Sequence, residues 1–483
     1  MPEVYTPPFK PRAHQKAALD KMEGRESFAL FMAMRTGKTK VTLDDYGRME
    51  LDGRAKNLLV IAPGGVYRGW EEACQDHLSA DLKSRAIVHT WESGAGAGGQ
   101  RRLSAFMAEQ VRPRILLMNV EALSSVKLAR ETALSFAASG RCVGAVDEST
   151  IIMNASSLRT KFINGKLAQH LEYRRILSGL PTPKSPLDLY GQLEFLDWRI
   201  LGFRSYYAFR NRYAVMYQAQ FGGRSVQLVK GYRDLDDLQS KLAPHSHRVL
   251  LEDCYDLPPK IYMTREVELT DEQKRLYREM RDFATAQLSA TDHVTATVVI
   301  AQILKLHRIL CGQAVDEGGA LHQIAEKRTE AVVDLLKEQG QGKAIIWTAY
   351  DACVQAVAKA IKDEFGEDSC ARFWGGNAGS REDEERRFKT DPACRFMVAT
   401  AAAGGRGREW SVADLVIYHA STNNLEHRAQ SEERPQRVGR EDQVAYVDLI
   451  ARGTVDEKIV QALRQKIDLS ATIMGDAYRD WLI

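Results

Sequence analysis

The sequence predicts an α/β protein with two parallel-sheet lobes in tandem and a mostly helical insertion between them. Short apolar runs alternate with amphipathic stretches from about residue 28 to residue 179, and the alternation returns after about residue 328. Buried strands that alternate with helices are what a parallel sheet requires. The intervening stretch reads as helices, one of them opened by a capping-box-like Thr270–Gln273. We expect a first lobe over 1–200, a linker and helical insertion over 201–327, and a second lobe over 328–483.

The composition is that of a folded soluble protein and does not by itself name a partner. Hydrophobic residues make up 44% and charged residues 27% of the chain, which excludes a disordered or fibrous protein. The net charge of +3 is nearly balanced, so any nucleic-acid contact has to come from a local basic surface. The seven cysteines never form a Cys-x-x-Cys pair, which argues against a zinc site or disulfide framework. No segment is typical of a signal peptide or membrane span, and we expect a cytoplasmic protein without a membrane partner.

Residues 34–39 have the pattern of a phosphate-binding loop. The segment Met-Arg-Thr-Gly-Lys-Thr follows a strand-like run and precedes a helix-like one, so that backbone N–H groups would point at phosphate oxygens. Here Lys38 is expected to reach the β and γ phosphates of ATP, and the Thr39 hydroxyl to hold Mg²⁺. The full pattern has glycine at Met32, and Gly-Lys-Thr alone also occurs by chance. The predicted nucleotide ligands in this loop are Arg35, Thr36, Gly37, Lys38 and Thr39.

Asp147 and Glu148 close the apolar run 143–146, which places two carboxylates at the carboxyl end of a buried strand. In an open α/β sheet this end lines the ligand cleft. We therefore predict that Asp147 holds Mg²⁺ and that Glu148 orients the water that attacks the γ-phosphate. A strand that simply ends in solvated acids is the alternative interpretation.

Further motifs accompany these sites along the first 280 residues. They are FKPRAHQ at Phe9–Gln15, AP at Ala62–Pro63 followed by Trp70, MNVEAL at Met118–Leu123, LSGLP at Leu177–Pro181, and LPPK at Leu257–Lys260 followed by Leu269, Thr270 and Gln273–Tyr277. In this order they resemble the motifs of the Swi/Snf branch of helicase superfamily two, and the resemblance runs from about Phe9 to Met474. The LPPK segment is specific to that branch and separates the chain from the DEAD-box RNA helicases.

The second half of the chain continues the same resemblance. Ala403–Gly407 resembles the motif AGGxG, Gln430–Gly439 resembles QAxDRxHRxG, and Gly453–Ile459 resembles GTVEEKI. The resemblance implies two RecA-like lobes that use ATP and Mg²⁺, with lobe 1 as the ATP-binding lobe. It also implies contacts to double-stranded DNA that follow the backbone without reading bases.

The resemblance assigns roles to further residues. Gln15 would contact the adenine base and Gly407 the nucleotide. Arg434 and Arg437 are candidate arginine fingers with Gln430 beside them; they are three apart on an expected helix and so share one face, and Arg437 is favoured. The residues expected to face DNA are Pro63, Gly64, Asn119, Thr348, Gly404 and Gly405.

Some residues depart from the family pattern. Leu180 replaces a threonine, Ser149 and Thr150 replace Ala-His, and Glu409 stands where asparagine is common. None of these changes removes a group expected to touch the γ-phosphate or Mg²⁺. The stretch 203–213 interleaves arginines with aromatics, which suits either base stacking or core packing at helical spacing.

The leading hypothesis is a compact double-stranded DNA translocase with DNA-stimulated ATP hydrolysis, remodelling forked or branched DNA. Without a recognisable chromatin reader, nuclease or zinc module, the short lobes favour a bacterial or phage origin over a nucleosome remodeller. We also expect a monomer. A strand-separating helicase is the first alternative. The second is a DNA-binding scaffold whose weak ATPase serves as a nucleotide switch.

Overall fold

The computed structural model describes residues 5–64, 66–221, 224–290, 296–316, 318–404, 409–437 and 439–476. The chain forms two compact units. The first consists of Met1–Ala214, Tyr232–Tyr255 and Leu469–Ala477, and the second of Val215–Gly231, Asp256–Asp468 and Tyr478–Ile483.

The first unit is built on a parallel sheet. The strands in this part of the chain are β1 (Ser27–Met32), β2 (Asn57–Ala62), β3 (Ile87–Thr90), β4 (Arg114–Asn119), β5 (Cys142–Asp147), β6 (Tyr173–Leu177), β7 (Ala214–Phe221), β8 (Arg224–Tyr232) and β9 (Ser246–Val249). Seven of the described strands pair in the order β3-β4-β2-β5-β6-β1-β9, all in parallel. Strands β2 and β5 are buried along their whole length, as expected when helices cover both faces of a sheet.

Helices alternate with these strands along the chain. They are α1 (Ala13–Met22), α2 (Lys38–Leu51), α3 (Gly69–His77), α4 (Ala80–Arg85), α5 (Ala97–Ala108), α6 (Val120–Ser125), α7 (Lys127–Ala138), α8 (Leu158–Phe162), α9 (Leu189–Leu201), α10 (Tyr206–Tyr213) and α11 (Leu235–Leu242). In α10, Phe209 and Tyr213 are fully buried, which confirms core packing for these aromatics, whereas Tyr207 is 66% exposed.

The second unit has a parallel sheet of its own. The strands in this part are β10 (Ile261–Glu266), β11 (Gln313–Val315), β12 (Leu321–Gln323), β13 (Ala344–Thr348), β14 (Cys370–Phe373), β15 (Phe396–Thr400), β16 (Leu415–Tyr418) and β17 (Ala445–Ile450). Six of those described pair in the order β10-β17-β16-β13-β15-β14, again in parallel. The second sheet confirms the predicted α/β class with two lobes.

The helices of this second part are α12 (Asp271–Ala290), α13 (Ala296–Leu310), α14 (Arg328–Gln339), α15 (Asp351–Phe365), α16 (Arg381–Thr390), α17 (Ala401–Gly404), α18 (Leu425–Glu432) and α19 (Val455–Met474). Trp347 packs in the core of this unit, where its ring stacks on Trp410 with 5.3 Å between centroids. Trp374 packs at the margin of a second cluster on the other face of the sheet.

The range predicted as a mostly helical insertion, 201–327, contains more strand than its sequence pattern indicates. Strands β7 and β8 form a separate two-stranded sheet, β9 joins the first parallel sheet and β10 joins the second. The helices α12 and α13 account for the helical part of the expectation. Within the described residues, no helix has both the length and the apolar character needed to cross a membrane.

Candidate active site

The loop between β1 and α2 has the geometry of a phosphate-binding loop. Gly37 lies immediately before α2 with φ 88°, in the left-handed region that favours glycine. A Cβ there would lie 2.3 Å from Gln15 Nε2, so a larger residue would displace the Gln15 side chain. Gln15 Nε2 donates to the Thr36 carbonyl oxygen at 3.0 Å, and Gln15 Oε1 accepts from the Arg12 N–H at 3.0 Å. The side chain that the resemblance assigns to adenine therefore also holds the loop in place.

Arg35 occupies a left-handed backbone conformation that favours glycine. Its φ is 64°, a left-handed value that costs a residue with a Cβ roughly 1–2 kcal/mol. The Tyr255 hydroxyl donates to the Arg35 carbonyl oxygen at 3.5 Å, and the Arg12 guanidinium lies 4.8 Å from the centre of the Tyr255 ring. Contacts from outside the loop therefore help to hold it in this turn.

Lys38 and Thr36 bind the same carbonyl oxygen. The Thr36 hydroxyl donates to Ala33 O at 2.7 Å, and Lys38 Nζ donates to that oxygen at 3.3 Å. Thr36 is fully buried and Lys38 is 9% exposed, while Thr39 is half-buried in the first turn of α2. An ammonium group has three N–H donors, so one long bond to a carbonyl oxygen leaves Lys38 able to bind phosphate oxygens.

Asp147 is a buried carboxylate at the carboxyl end of β5. Its Oδ2 accepts from the Trp70 indole N–H at 2.9 Å, and its Oδ1 accepts from the Glu148 backbone N–H at 2.9 Å. Burial raises the pKa of Asp147, and the positive charge of Lys38 acts in the opposite direction. Two hydrogen bonds and a nearby cation therefore only partly compensate the loss of hydration. This environment suits a carboxylate whose negative charge a bound metal ion would neutralise.

Glu148 has a strained backbone beside this carboxylate. Its φ is 48° and its ψ is 60°, an uncommon conformation for a residue with a side chain. Such strain persists where the surrounding structure imposes it, and it is concentrated at functional sites. Glu148 is half-exposed while Asp147 is only 5% exposed, so the two neighbouring acids have different environments and are suited to different tasks.

The residues present fit bound Mg²⁺·ATP. Strand β1 pairs with β6 and β6 pairs with β5, all in parallel, so Lys38 and Asp147 follow the carboxyl ends of strands at one edge of the sheet. A partly compensated buried carboxylate and a lysine at a helix N-terminus form the donor set that this ligand requires. Lys38, Thr39 and Asp147 would hold the phosphates and the metal.

A buried glutamine connects the segment after Asp147 to the LSGLP segment. Ser149 Oγ donates to Gln192 Oε1 at 2.6 Å, and Gln192 Nε2 donates to the Pro181 carbonyl oxygen at 2.7 Å and the Asp188 carbonyl oxygen at 2.8 Å. Ser149 and Gln192 are fully buried. Ser149 and Leu180 are the departures from the family pattern in these two segments, and the Gln192 side chain joins the segments.

The DNA-facing candidates of the first unit differ in their surroundings. The Gly64 N–H is exposed and donates to Glu121 Oε2 at 3.1 Å. The Pro63 side chain is buried, and its carbonyl oxygen accepts from the Val66 N–H at 2.8 Å. Asn119 Oδ1 caps α6 by accepting from the Ala122 N–H at 3.0 Å, which leaves its amide N–H donors for another ligand.

The prediction that one helix carries both candidate arginine fingers is wrong. Helix α18 ends at Glu432, so Arg434 and Arg437 lie beyond it and do not share a helix face. Pro435 explains the difference, because the residue before a proline is disfavoured in the helical region. Arg434 is 1% exposed and Arg437 is exposed, while Gln430 is buried in α18 with Nε2 donating to Glu426 Oε1 at 3.3 Å.

The remaining candidates of the second unit lie near a tryptophan pair. Gly404 is buried against two tryptophan rings rather than open to a phosphate. A Cβ at this position would lie 2.8 Å from Trp410 and 3.0 Å from Trp347. Thr348 is 2% exposed, at the carboxyl end of β13, with its Oγ1 3.5 Å from His419 Nδ1. The predicted roles of Gly405 and Gly407 lie outside the described residues.

Three residues that the structure brings to these sites had no role predicted from the sequence. The Trp70 indole N–H donates to Asp147, and Glu121 accepts a hydrogen bond from the Gly64 N–H. Gln192 accepts a hydrogen bond from Ser149 and links two motifs. Trp70 and Glu121 lie inside segments recognised as motifs, so position within a motif was an available signal. Gln192 had no such signal, because it is one of several polar residues in α9, together with Glu194, Asp197 and Arg199.

Two family models and several known proteins are similar to this chain. Residues 14–336 match the SNF2-related domain, and residues 327–440 match the helicase conserved C-terminal domain. The chain is 25% identical over 508 residues to the TATA-binding protein-associated factor MOT1 of Saccharomyces cerevisiae, with 92% of this chain and 26% of that protein covered. It is 24% identical over 426 residues to an uncharacterized ATP-dependent helicase of Mycoplasma pneumoniae, with 86% of this chain and 37% of that protein covered.

A solved structure, the SWI2/SNF2 ATPase core of Sulfolobus solfataricus in complex with dsDNA, aligns with 98% of this chain and 96% of its own, at 20% identity and a TM-score of 0.41. The chain spans between 20% and 26% of the length of the first curated relatives. The match to the SNF2-related domain covers more than half of the chain, and the chain therefore belongs to the SNF2-related family of helicase superfamily two, a family of ATP hydrolases.

Proposed function

We propose that this protein hydrolyses ATP with Mg²⁺ in response to double-stranded DNA and moves along the duplex. One observation carries the proposal: Lys38 and the pair Asp147–Glu148 lie at the same edge of one parallel sheet, in a member of a family of ATP hydrolases. The alternative of solvated strand-end acids does not account for Asp147, which is buried and bound by Trp70.

The roles of the residues follow from positioning and charge, since phosphoryl transfer leaves a protein little covalent chemistry to perform. Bound Mg²⁺·ATP supplies the phosphoanhydride and the metal charge. Lys38 and the loop N–H groups would bind the phosphates, Asp147 and Thr39 the metal, and Glu148 would orient the attacking water. Arg437 is the preferred candidate for neutralising charge on the transferred phosphoryl group, because it is exposed whereas Arg434 is buried.

A contact in the first unit supports a DNA backbone grip. The exposed Gly64 N–H already binds an anionic oxygen, that of Glu121. A carboxylate oxygen and a phosphate oxygen accept a hydrogen bond in the same way, so the Glu121 carboxylate stands in for a DNA phosphate. We propose that a phosphate displaces Glu121 from Gly64 when DNA binds, which gives a contact without base specificity.

The test is ATP hydrolysis measured with no nucleic acid, blunt duplex DNA, single-stranded DNA and RNA. We expect duplex DNA to raise the rate most, and Lys38→Ala and Glu148→Gln to abolish it, with Glu148→Gln still binding ATP. Asp52→Asn, an exposed acid at the end of α2, serves as the matched control and should behave like the wild type. Wild-type turnover by Lys38→Ala would remove the site assignment.

A rate that duplex DNA leaves unchanged would instead favour the scaffold with a nucleotide switch. Movement is tested by displacement of a triplex-forming strand, which needs translocation but no unwinding. Affinity for duplex should also fall steeply with salt, because phosphate contacts release counterions. A flat salt response contradicts a backbone grip.

A further inference from the structure

We propose that Lys260 and Glu432 are positioning residues for ATP hydrolysis, because the ion pair between them fixes the short segment that presents Arg437. We call residues 433–437 the finger segment. The proposal rests on the proposed function, in which Arg437 neutralises charge on the transferred phosphoryl group. It gives the lysine of the LPPK segment a task in hydrolysis. All the residues that carry the proposal lie in the second unit.

The finger segment is a bend that follows α18, and the Arg437 side chain on it is exposed. A long exposed side chain loses rotamer freedom when it is placed against a ligand. A displacement of about 1 Å at a reacting group can cost roughly a hundredfold in rate. Contacts from outside the segment therefore have to fix its backbone if Arg437 is to act on a phosphoryl group.

Glu432, the last residue of α18, is a buried carboxylate with both of its oxygens bound. Its Oε2 accepts from Lys260 Nζ at 3.3 Å and from the Tyr262 hydroxyl at 2.8 Å. Its Oε1 accepts from Arg428 Nε at 2.6 Å. The residue is 4% exposed. Three donors, one from α18 and two from residues 260–262, thus hold the end of this helix in one place.

Lys260 supplies the positive charge that balances these buried groups. Arg428 is shared, because its guanidinium also binds both carboxylate oxygens of Asp448, at 2.6 and 2.8 Å. The two buried acids, Glu432 and Asp448, are therefore neutralised only when Lys260 adds the second cation. Burial lowers the pKa of Lys260, but the negative charges around it, Glu432 foremost, raise it by more, so the lysine stays charged. Loss of the lysine would leave a buried charge uncompensated.

Tyr446 connects this cluster to the residue before Arg437. Its hydroxyl donates to the Glu432 carbonyl oxygen at 2.8 Å and accepts from Gln436 Nε2 at 2.9 Å. Lys260 Nζ lies 5.7 Å from the centre of the Tyr446 ring, so one ammonium group is close to both the carboxylate and this ring. Gln436 is 3% exposed, and Arg437 follows it directly. A shift of Glu432 or Lys260 is therefore passed to the finger segment through one hydroxyl.

Two further hydrogen bonds hold the backbone of the finger segment. The Trp410 N–H donates to the Arg434 carbonyl oxygen at 3.0 Å, and Arg440 Nη1 donates to the Pro435 carbonyl oxygen at 3.1 Å. Residues 434–436 are thus each bound, whereas the Arg437 side chain extends into solvent. A fixed backbone with an exposed guanidinium is suited to placing that group on a ligand.

The experiment measures steady-state ATP hydrolysis on blunt duplex DNA for Lys260→Met, which removes the ammonium group but keeps an unbranched side chain. We expect kcat to fall roughly tenfold and KM for ATP to stay within about twofold, because the charge that Arg437 neutralises develops only in the transition state. Lys260→Arg keeps the charge and should recover most of the rate. An unchanged kcat, or a raised KM with kcat intact, would overturn the proposal.

A double-variant cycle with Arg437→Ala separates positioning from a merely structural role. Arg437→Ala alone should lower kcat by about a thousandfold or more, a loss that single-turnover hydrolysis of radiolabelled ATP can follow. If Lys260 acts through Arg437, adding Lys260→Met to Arg437→Ala should slow hydrolysis by less than about twofold further. A structural role would lower the rate by the same roughly tenfold factor in both backgrounds, and this result would overturn the proposal.

Two more variants control for loss of folding. Lys362→Met breaks an ion pair with Glu367 in the same unit and should retain the wild-type kcat; the Lys362 side chain is 25% exposed, compared with 21% for Lys260. Tyr446→Phe removes the bridging hydroxyl but keeps the ring, which stacks on Tyr262 with 5.3 Å between centroids. It should lower kcat as Lys260→Met does, and it decides the question if Lys260→Met melts below the assay temperature. Wild-type kcat in Tyr446→Phe would overturn the connection.

This proposal and the proposed function fail in different ways. If duplex DNA does not stimulate hydrolysis by the wild type, the translocase function fails, while the same cycle run without DNA still decides the role of Lys260. If Arg437→Ala turns over like the wild type, Arg437 is not the arginine finger and the positioning proposal is overturned. Lys38→Ala and Glu148→Gln would still test the nucleotide site in that case.

Discussion

Replacement of Gln192 by leucine is expected to destabilise the first lobe and to slow ATP hydrolysis without weakening ATP binding. The leucine side chain is close in volume to glutamine but cannot make any of its three hydrogen bonds to Ser149, Pro181 and Asp188. The Ser149 hydroxyl would lose its acceptor and the Pro181 carbonyl its donor, both inside a region that excludes water.

The size of the effect follows from these two groups. A buried polar group left without a partner costs about 1–3 kcal/mol, so two such groups give roughly 2–4 kcal/mol after partial relaxation. Ser149→Ala, which introduces the residue common in the family, removes the donor itself and should cost about 1 kcal/mol. In the double variant no Ser149 hydroxyl is left without a partner. Its loss of stability should therefore be about 1 kcal/mol smaller than the sum of the losses in the two single variants.

The assay is urea unfolding of the wild type, both single variants and the double variant, with steady-state ATP hydrolysis on duplex DNA in parallel. A positioning role predicts a lower kcat at unchanged KM for ATP, because Ser149 follows Glu148 directly. Thr160→Ala removes another buried hydroxyl of the same lobe and controls for stability loss alone. Strict additivity of the costs, or a change in KM with kcat intact, would refute the reasoning.

Three further predictions concern single positions. Arg35→Gly should leave stability unchanged or raise it by about 1 kcal/mol, because glycine accepts the left-handed φ of 64°. Arg35→Ala keeps the backbone strain, so any loss of ATP affinity in that variant belongs to the missing side chain. Calorimetry measures the change in stability and nucleotide titration the change in affinity, and a less stable glycine variant would contradict the strain. Gly404→Ala should lower stability by about 1–3 kcal/mol, because its methyl group would overpack Trp347 and Trp410. The expected readouts are a lower melting temperature and altered tryptophan fluorescence. An unchanged melting temperature would mean that the two rings move aside freely. Burial lowers the pKa of His307 to about 4 from 6.5. The folded state therefore binds fewer protons than the unfolded state between these values, so the free energy of unfolding decreases by up to about 3 kcal/mol as the pH is lowered through this window. His307→Gln should reduce the slope of melting temperature against pH.

Much of the fold was predictable because its signals are local. Strands β2 and β5 are buried on both faces, and such strands appear in the sequence as continuous apolar runs. The positions of Lys38 and Asp147 at one sheet edge follow from the strand–loop–helix context alone. Strands β7 and β8 were not predicted because their alternation of apolar and polar residues is weak.

Two site predictions depended on information that the pattern does not contain. Arg434 and Arg437 are three residues apart, a spacing that places side chains on one helix face only if the helix continues, and it ends at Glu432 before Pro435. Gly404 matched a motif expected to face DNA, yet the space that requires glycine is filled by Trp347 and Trp410 from distant parts of the chain.

The amino-acid sequence by itself determined the two-lobed α/β class and the loop proposed to bind phosphates, because strand burial and helix starts depend on neighbours a few residues away. Only the tertiary structure decided which polar groups meet inside the first lobe, such as Trp70 with Asp147 and Gln192 with Ser149. These partners lie 77 and 43 residues apart, and their contact depends on how strands and helices pack, which no local pattern specifies.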